Sequence, residues 1–157
     1  MKNVTILFLS VLVMMTGTGC VKDQGCDDKS PQSEEATMVA YATAEGINAV
    51  EHSSGLYYEI INPGTGNQPT AASKIKATYT GKLLNGTVFD QLTSPPTQSW
   101  DMSLLIEGWK IGLPLIKQGG TIKLIIPSSL AYGCNGAGPI PGDAILYFDV
   151  TLVEVTN

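Results

Sequence analysis

The chain has no arginine. Its nine basic residues are all lysines, set against fourteen acidic residues for a formal net charge of −5. Without guanidinium forks an acidic chain lacks the usual means of reading phosphates, which argues against nucleic acid as a partner. Histidine is almost absent as well: His52 stands alone, ahead of the first strand, and reads as a solvated linker residue. With one histidine and no CxxC pair there is no zinc set, and no Ser-His or Cys-His nucleophile is suggested. No metal or cofactor is expected. Aromatic residues make up 7% of the sequence, so their placement is informative. Repeats and low-complexity segments are lacking. The long apolar run, Val4 to Met15, is shorter than the roughly 20 residues a bilayer span requires.

What stands at the N-terminus is a processing signal. A short basic start, Met1-Lys2-Asn3, precedes the apolar run, and Thr16-Gly17-Thr18-Gly19 supplies small residues for cleavage. Residues 1–19 are therefore set aside from the fold. Small residues before Cys20 resemble a bacterial lipobox, with Gly17 where a large aliphatic residue is usual. That resemblance implies lipidation of Cys20 and a membrane anchor. Val21 stands where an Asp would favour inner-membrane retention, so the resemblance leans towards the outer membrane and a cell-envelope location. Export would permit a bridge between the two other cysteines, Cys26 and Cys134. Their places in a polar tail and a Gly-rich loop weigh against one, and the sequence leaves the pairing open.

Residues 20–36 are polar, hold one proline and offer little to bury, which predicts a flexible linker. Residues 37–54 read as a helical extension. Its helix, 37–45, carries Met38, Val39, Tyr41 and Ala42 on one face and stops at Gly46. From residue 55 to 157 the pattern turns to strands. Leu56–Ile61 leads into a turn at Asn62-Pro63-Gly64. Lys74–Leu84 alternates, with Ile75, Ala77, Tyr79 and Leu83 on one face and lysines on the other. Asn85-Gly86 predicts a type I′ hairpin, and Thr121–Ile126 and Ala144–Val155 repeat the alternation. One helix is expected inside this region, from about Glu107 to Lys117. Trp109, Leu113 and Ile116 form its stripe, and Pro114 distorts its last turn. The expected class is α+β, a curved antiparallel sheet wrapped around one short helix, with a short N-terminal helix besides.

The aromatics fall one to a segment. Tyr79-Thr80-Gly81, Asn85-Gly86-Thr87-Val88-Phe89-Asp90, Ile106-Glu107-Gly108-Trp109, Gly119-Gly120, Leu130-Ala131-Tyr132-Gly133 and Phe148-Asp149-Val150 together resemble the FKBP-type peptidyl-prolyl cis-trans isomerases, in family order over about residues 55–155. The resemblance implies a pocket between sheet and helix that binds a peptidyl proline. Carried over residue by residue, it places Trp109 on the floor. Tyr79, Phe89, Trp100, Leu105, Ile106, Ile140 and Phe148 become walls, and Tyr132 a hydroxyl at the rim. The Ile106 N–H becomes a donor to a substrate carbonyl, and Asp90 lies beside the reacting amide. Catalysis would then need no nucleophile, metal or general base.

The implied partners are proline-containing polypeptides, with macrolide inhibitors of the family as further ligands, for a monomer or weak dimer. Departures from the pattern bear on activity. Gln98 replaces an aromatic and would make one wall more polar, and Gly142 replaces a proline and would loosen the loop over the pocket. They leave room for another reading, a non-catalytic chaperone or proline-peptide binding module on the envelope. A surface scaffold using the 37–45 helix as a dimer contact is a third.

Overall fold

Alternating apolar residues gather seven strands into one antiparallel sheet. The computed structural model describes residues 25–157 apart from Pro95; the expected signal peptide and Cys20 lie outside the described residues. In chain order the elements are α1 (Pro31–Ala44), β1 (Val50–Glu51), β2 (Tyr57–Asn62), β3 (Lys74–Leu83), β4 (Val88–Leu92), β5 (Trp100–Asp101), α2 (Glu107–Gly112), β6 (Thr121–Ile126) and β7 (Leu146–Thr156). The sheet order is β1-β2-β6-β7-β3-β4, with β5 paired to β3. This is the α+β class expected from the sequence.

The main core lies between α2 and one sheet face, where Ile75, Ala77, Trp109, Leu113, Ile122, Leu124, Leu146, Phe148, Val150 and Leu152 are buried together. Two glycines set the height of α2 above that face. A Cβ on Gly112 would come within 2.6 Å of Leu124 Cδ2, and one on Gly108 would strike Ile126. The helix lasts six residues and tightens into a 3₁₀ turn at Leu113–Leu115. Pro114 explains this: its ring forbids another α-helical turn. Leu113 and Ile116 still reach the core, at 0% and 1% exposure.

Of three register shifts in the sheet, the two that flank β3 correct a strict period of two. Lys76 pairs with Glu154 but Ala77 pairs with Leu152, so Val153 is an extra residue in β7. Period two would send Glu154 inward; the bulge instead turns it outward to Lys76, 2.8 Å away, and buries Val155. On the other side of β3, Gly81 pairs with Asp90 and Lys82 with Val88, which leaves Phe89 as the extra residue of β4. The hairpin joining them also differs from the type I′ expectation. Gly86 N–H closes on Leu83 O at 2.9 Å, and Gly86 alone is left-handed (φ 88°), Asn85 being outside that region. Three loop residues with glycine last let the Asn85 carboxamide accept the Thr87 N–H at 3.0 Å.

The N-terminal region departs most from expectation. The helix begins at Pro31, inside the stretch read as linker, and covers the opposite sheet face. Ser30 caps it by accepting the Ser33 N–H at 3.3 Å, and Pro31 sits where its missing N–H costs nothing. At the other end Gly46 (φ 65°) and the Ile47 N–H to Ala42 O bond, 2.8 Å, close the helix in a Schellman arrangement. Its buried stripe is Glu34, Met38 and Ala42, packed towards Tyr57, Ile125 and Tyr147. Val39, expected on that face, is exposed.

Glu34 is 4% exposed and accepts the Ser128 N–H at 2.8 Å. Cys26 and Cys134 are joined as a disulfide, with Cα atoms 5.6 Å apart. The polar tail thus lies against the Gly-rich loop, which the composition of neither segment suggests. The bridge closes a separation of 108 residues, worth about 4–5 kcal/mol in the chain-entropy account.

Reducing the bridge in the folded chain is expected to lower the unfolding free energy by about 2–5 kcal/mol, read as a lower guanidinium midpoint. Glu34→Ala leaves the Ser128 N–H without its acceptor. It should cost about 1–3 kcal/mol in the same measurement.

Candidate active site

Four of the rings in one cleft come from four different elements. Tyr79 comes from β3, Phe89 from the bulge of β4, Trp109 from α2 and Phe148 from β7. Each lies at the same end of the sheet because Gly81 pairs with Phe148 on one side and Asp90 on the other. Gly81 makes room for them. A Cβ there would stand 2.7 Å from both Phe148 Cε1 and Phe89 Cζ.

The rings lock edge to face. Trp109, 5% exposed, meets Tyr79 at 5.2 Å and 87° and Phe148 at 5.4 Å and 82°. Phe89 meets Phe148 at 5.5 Å and 85°, and Trp100, carried opposite Ile75 on β5, meets Tyr79 at 6.0 Å. Such pairs add about 0.5–1.5 kcal/mol each beyond area burial, so the ring set is stiff before anything binds.

The cleft between them measures about 280 Å³ and is lined by Tyr79, Phe89, Asp90, Trp100, Leu104, Leu105, Ile106, Trp109, Tyr132 and Phe148. Six of these ten are aromatic and Asp90 alone is charged, so the interior is apolar with polar groups at its mouth. Nine of the ten residues singled out from the sequence line it. Ile140 does not: it is 7% exposed and packs in the main core. Gln98, expected to make a wall more polar, is exposed and off the lining.

Leu104 was not anticipated. It ends a 3₁₀ turn, Met102–Leu104, whose buried Met102 donates its N–H to Ser73 O at 3.0 Å, and it stands 81% exposed at the mouth. The adjoining Leu105 and Ile106 were the available signal, since a third apolar residue beside them extends the same rim.

Polar groups are few and specific. Tyr79 Oη donates to Asp90 Oδ2 at 2.6 Å. Burial pushes the Tyr79 phenol above its ordinary value of 10, and the hydrogen bond and charge of Asp90 push it further. Ile106 caps α2 in extended conformation, and its N–H meets no acceptor among the described residues. Trp109 Nε1 is likewise buried without a partner among them. The loop over the cleft is tied where Gly142 suggested looseness. A Cβ on Gly142 would run into the Cys134 carbonyl, so glycine is demanded by close approach.

An antiparallel sheet laid against one short helix, with a ring-lined apolar cleft at one end, is a recognisable class of small domain. Residues 65–153 match the family described as FKBP-type peptidyl-prolyl cis-trans isomerase. The chain is 39% identical over 122 residues to the FKBP-type peptidyl-prolyl cis-trans isomerase FkpA of Aeromonas hydrophila, covering 77% of this chain and 45% of that protein. It is 40% identical over 116 residues to the FKBP-type 22 kDa peptidyl-prolyl cis-trans isomerase of Escherichia coli, covering 73% and 55%.

Among solved structures, FkpA from Escherichia coli superposes with a TM-score of 0.70 at 34% identity, over 80% of this chain and 61% of that one. The peptidyl-prolyl cis-trans isomerase from Pseudomonas syringae gives 0.68 at 30% identity, over 83% and 99%. This chain belongs to the FKBP-type peptidyl-prolyl cis-trans isomerase family. It spans about half the length of these two curated relatives.

Gly81→Ala is expected to push Phe89 and Phe148 apart, at a cost of about 1–3 kcal/mol and with altered aromatic near-UV dichroism. Because the folded phenols of Tyr79 and Tyr147 are raised, their contribution to stability is full below pH 10 and falls as the pH climbs beyond it. Asp90→Asn should bring the Tyr79 ionisation down in an absorbance titration while burial still holds it above 10.

Proposed function

We propose that the chain is a peptidyl-prolyl cis-trans isomerase acting on X-Pro bonds of exported or envelope polypeptides. The observation that carries this is the apolar, ring-walled cleft with an Ile106 N–H that meets no acceptor among the described residues. Amide rotation costs about 18–20 kcal/mol because resonance is lost at the twisted geometry. A twisted amide has less charge separation than a planar one, so an apolar cleft disfavours the planar ground state more than the twisted state.

In this reading the prolyl ring sits on Trp109 between Tyr79, Phe89 and Phe148, with Trp100 and Leu105 extending the walls. The Ile106 N–H takes a neighbouring carbonyl and Tyr132 contributes its hydroxyl at the rim. Asp90 fixes the Tyr79 ring through the 2.6 Å bond and offers a polar contact; it abstracts no proton.

The location belongs to the same proposal. The lipobox-like start supports cleavage before Cys20, lipidation there and a place in the cell envelope, outer membrane included. A macrolide of the family would enter the cleft as an inhibitor. The runner-up, a chaperone that holds proline-containing segments without turnover, draws support from the exposed Leu104 at the mouth.

A protease-free isomerisation assay on a short X-Pro peptide decides between them. The expected result is a rate above background that falls about 10- to 100-fold in Phe89→Ala and less in Asp90→Ala. Binding of the peptide with no rate enhancement would leave the chaperone reading. Radiolabelled palmitate incorporation that Cys20→Ser abolishes is expected for the anchor.

A further inference from the structure

The segment before α1 and the first turn of α1 meet the loop carrying Tyr132, or the residues leading into it, at four points. Cys26 is bridged to Cys134, and the Asp28 carboxylate accepts the Cys134 N–H at 2.8 Å. Lys29 Nζ lies 3.4 Å from Asp143 Oδ2, and Glu34 takes the Ser128 N–H. These contacts are unequal. The Lys29–Asp143 side chains are 49% and 35% exposed, and such pairs contribute little. The other three seize the loop through its backbone or a covalent bond. Asp28 also lies so close to Gly133 that a Cβ there would strike its carboxylate.

Tyr132 stands between these fixed points. Among the described residues its ring has no aromatic partner and its hydroxyl no hydrogen bond, although it lines the cleft and is 38% exposed. Its place is therefore set by backbone. The Tyr132 carbonyl accepts the Gly136 N–H at 3.2 Å, and the Gly133 carbonyl accepts the Asp143 N–H at 2.9 Å. Both bonds lie within the loop. Asp28 and the disulfide attach that loop to a separate part of the chain.

We infer that Cys26 and Asp28 are positioning residues for Tyr132, acting through Cys134 and Gly133, so that grip on the peptide depends on the oxidised bridge. The inference rests on the isomerase reading of the cleft. Opening the bridge takes a dithiol: it gives two electrons and two protons, the Cys26–Cys134 bond becomes two thiols, and the dithiol becomes a disulfide. Tyr132 is then held by the loop's own bonds, by Asp28 on the Cys134 N–H and by the more distant contacts at Ser128 and Asp143.

The test uses the full chain and a chromogenic X-Pro tetrapeptide. kcat and KM are measured for the oxidised protein, the dithiol-treated protein, Cys26→Ser, Asp28→Ala and Asp28→Asn, each also in a Tyr132→Ala background. The expected result is a KM raised about threefold or more by reduction, Cys26→Ser and Asp28→Ala, with kcat little changed, and no further rise when Tyr132 is already gone. Asp28→Asn keeps an acceptor for the Cys134 N–H and should recover most of the loss.

Equal losses in both backgrounds, or no loss in either, would overturn the inference. Amide exchange gives a reading independent of turnover: on reduction it should quicken from Gly133 to Asp143 and stay unchanged in β3 and β7. If the oxidised chain shows no isomerase activity, the functional reading fails by itself. Exchange then decides whether the bridge holds the Tyr132 loop, unchanged rates refuting it and faster rates upholding it.

Discussion

The cleft depends on how closely α2 approaches the sheet. Gly108 and Gly112, four residues apart, turn a bare backbone face towards Ile126 and Leu124, and no side chain of ordinary size fits between. At that height Trp109 reaches across to Tyr79 and Phe148 and closes the floor, while the N-terminal end of the helix leaves the Ile106 N–H facing outwards. A helix standing farther off would pull the floor from the walls. Pro114 keeps the helix short by turning its end into the 3₁₀ turn at Leu113–Leu115.

Strong periodicity made the sheet readable. Ile75, Ala77 and Tyr79 alternate with lysine and threonine, and Leu146, Phe148, Val150 and Leu152 alternate with Tyr147, buried in the second core, and with half-buried Asp149, Thr151 and Val153. Aromatic residues at family spacing made nine of the ten lining residues readable too. What escaped was information held in pairs of distant segments. The bulges at Phe89 and Val153 depend on how two strands align, which no single strand records. Ile140 shares the composition of a rim residue but is drawn into the core by its bridge to Ala137.

The start of α1 escaped for a different reason. Its buried stripe includes a glutamate, so the apolar pattern that announces a helix is nearly erased, although Ser30-Pro31 is a serviceable start signal. Glu34 is buried for the sake of one backbone N–H on a loop 94 residues away. Polarity normally marks a segment as solvated. Here Asp28 and Glu34 are the polar groups that dock it, through loop N–H groups, which is why composition pointed the wrong way.

The bridge at Cys26 also fixes where the domain would hang from a membrane. With the proposed acyl anchor on Cys20, five residues separate the lipid-bearing cysteine from the bridged one, six residue steps and a leash of at most about 20 Å when fully extended. Opened, with Asp28 still on the Cys134 N–H, the leash would run to Asp28 and lengthen to roughly 26–29 Å. Its short form ends at Cys134, two residues along the chain from Tyr132 on the cleft lining, so the proposed anchor would be tethered next to the loop that carries that rim residue.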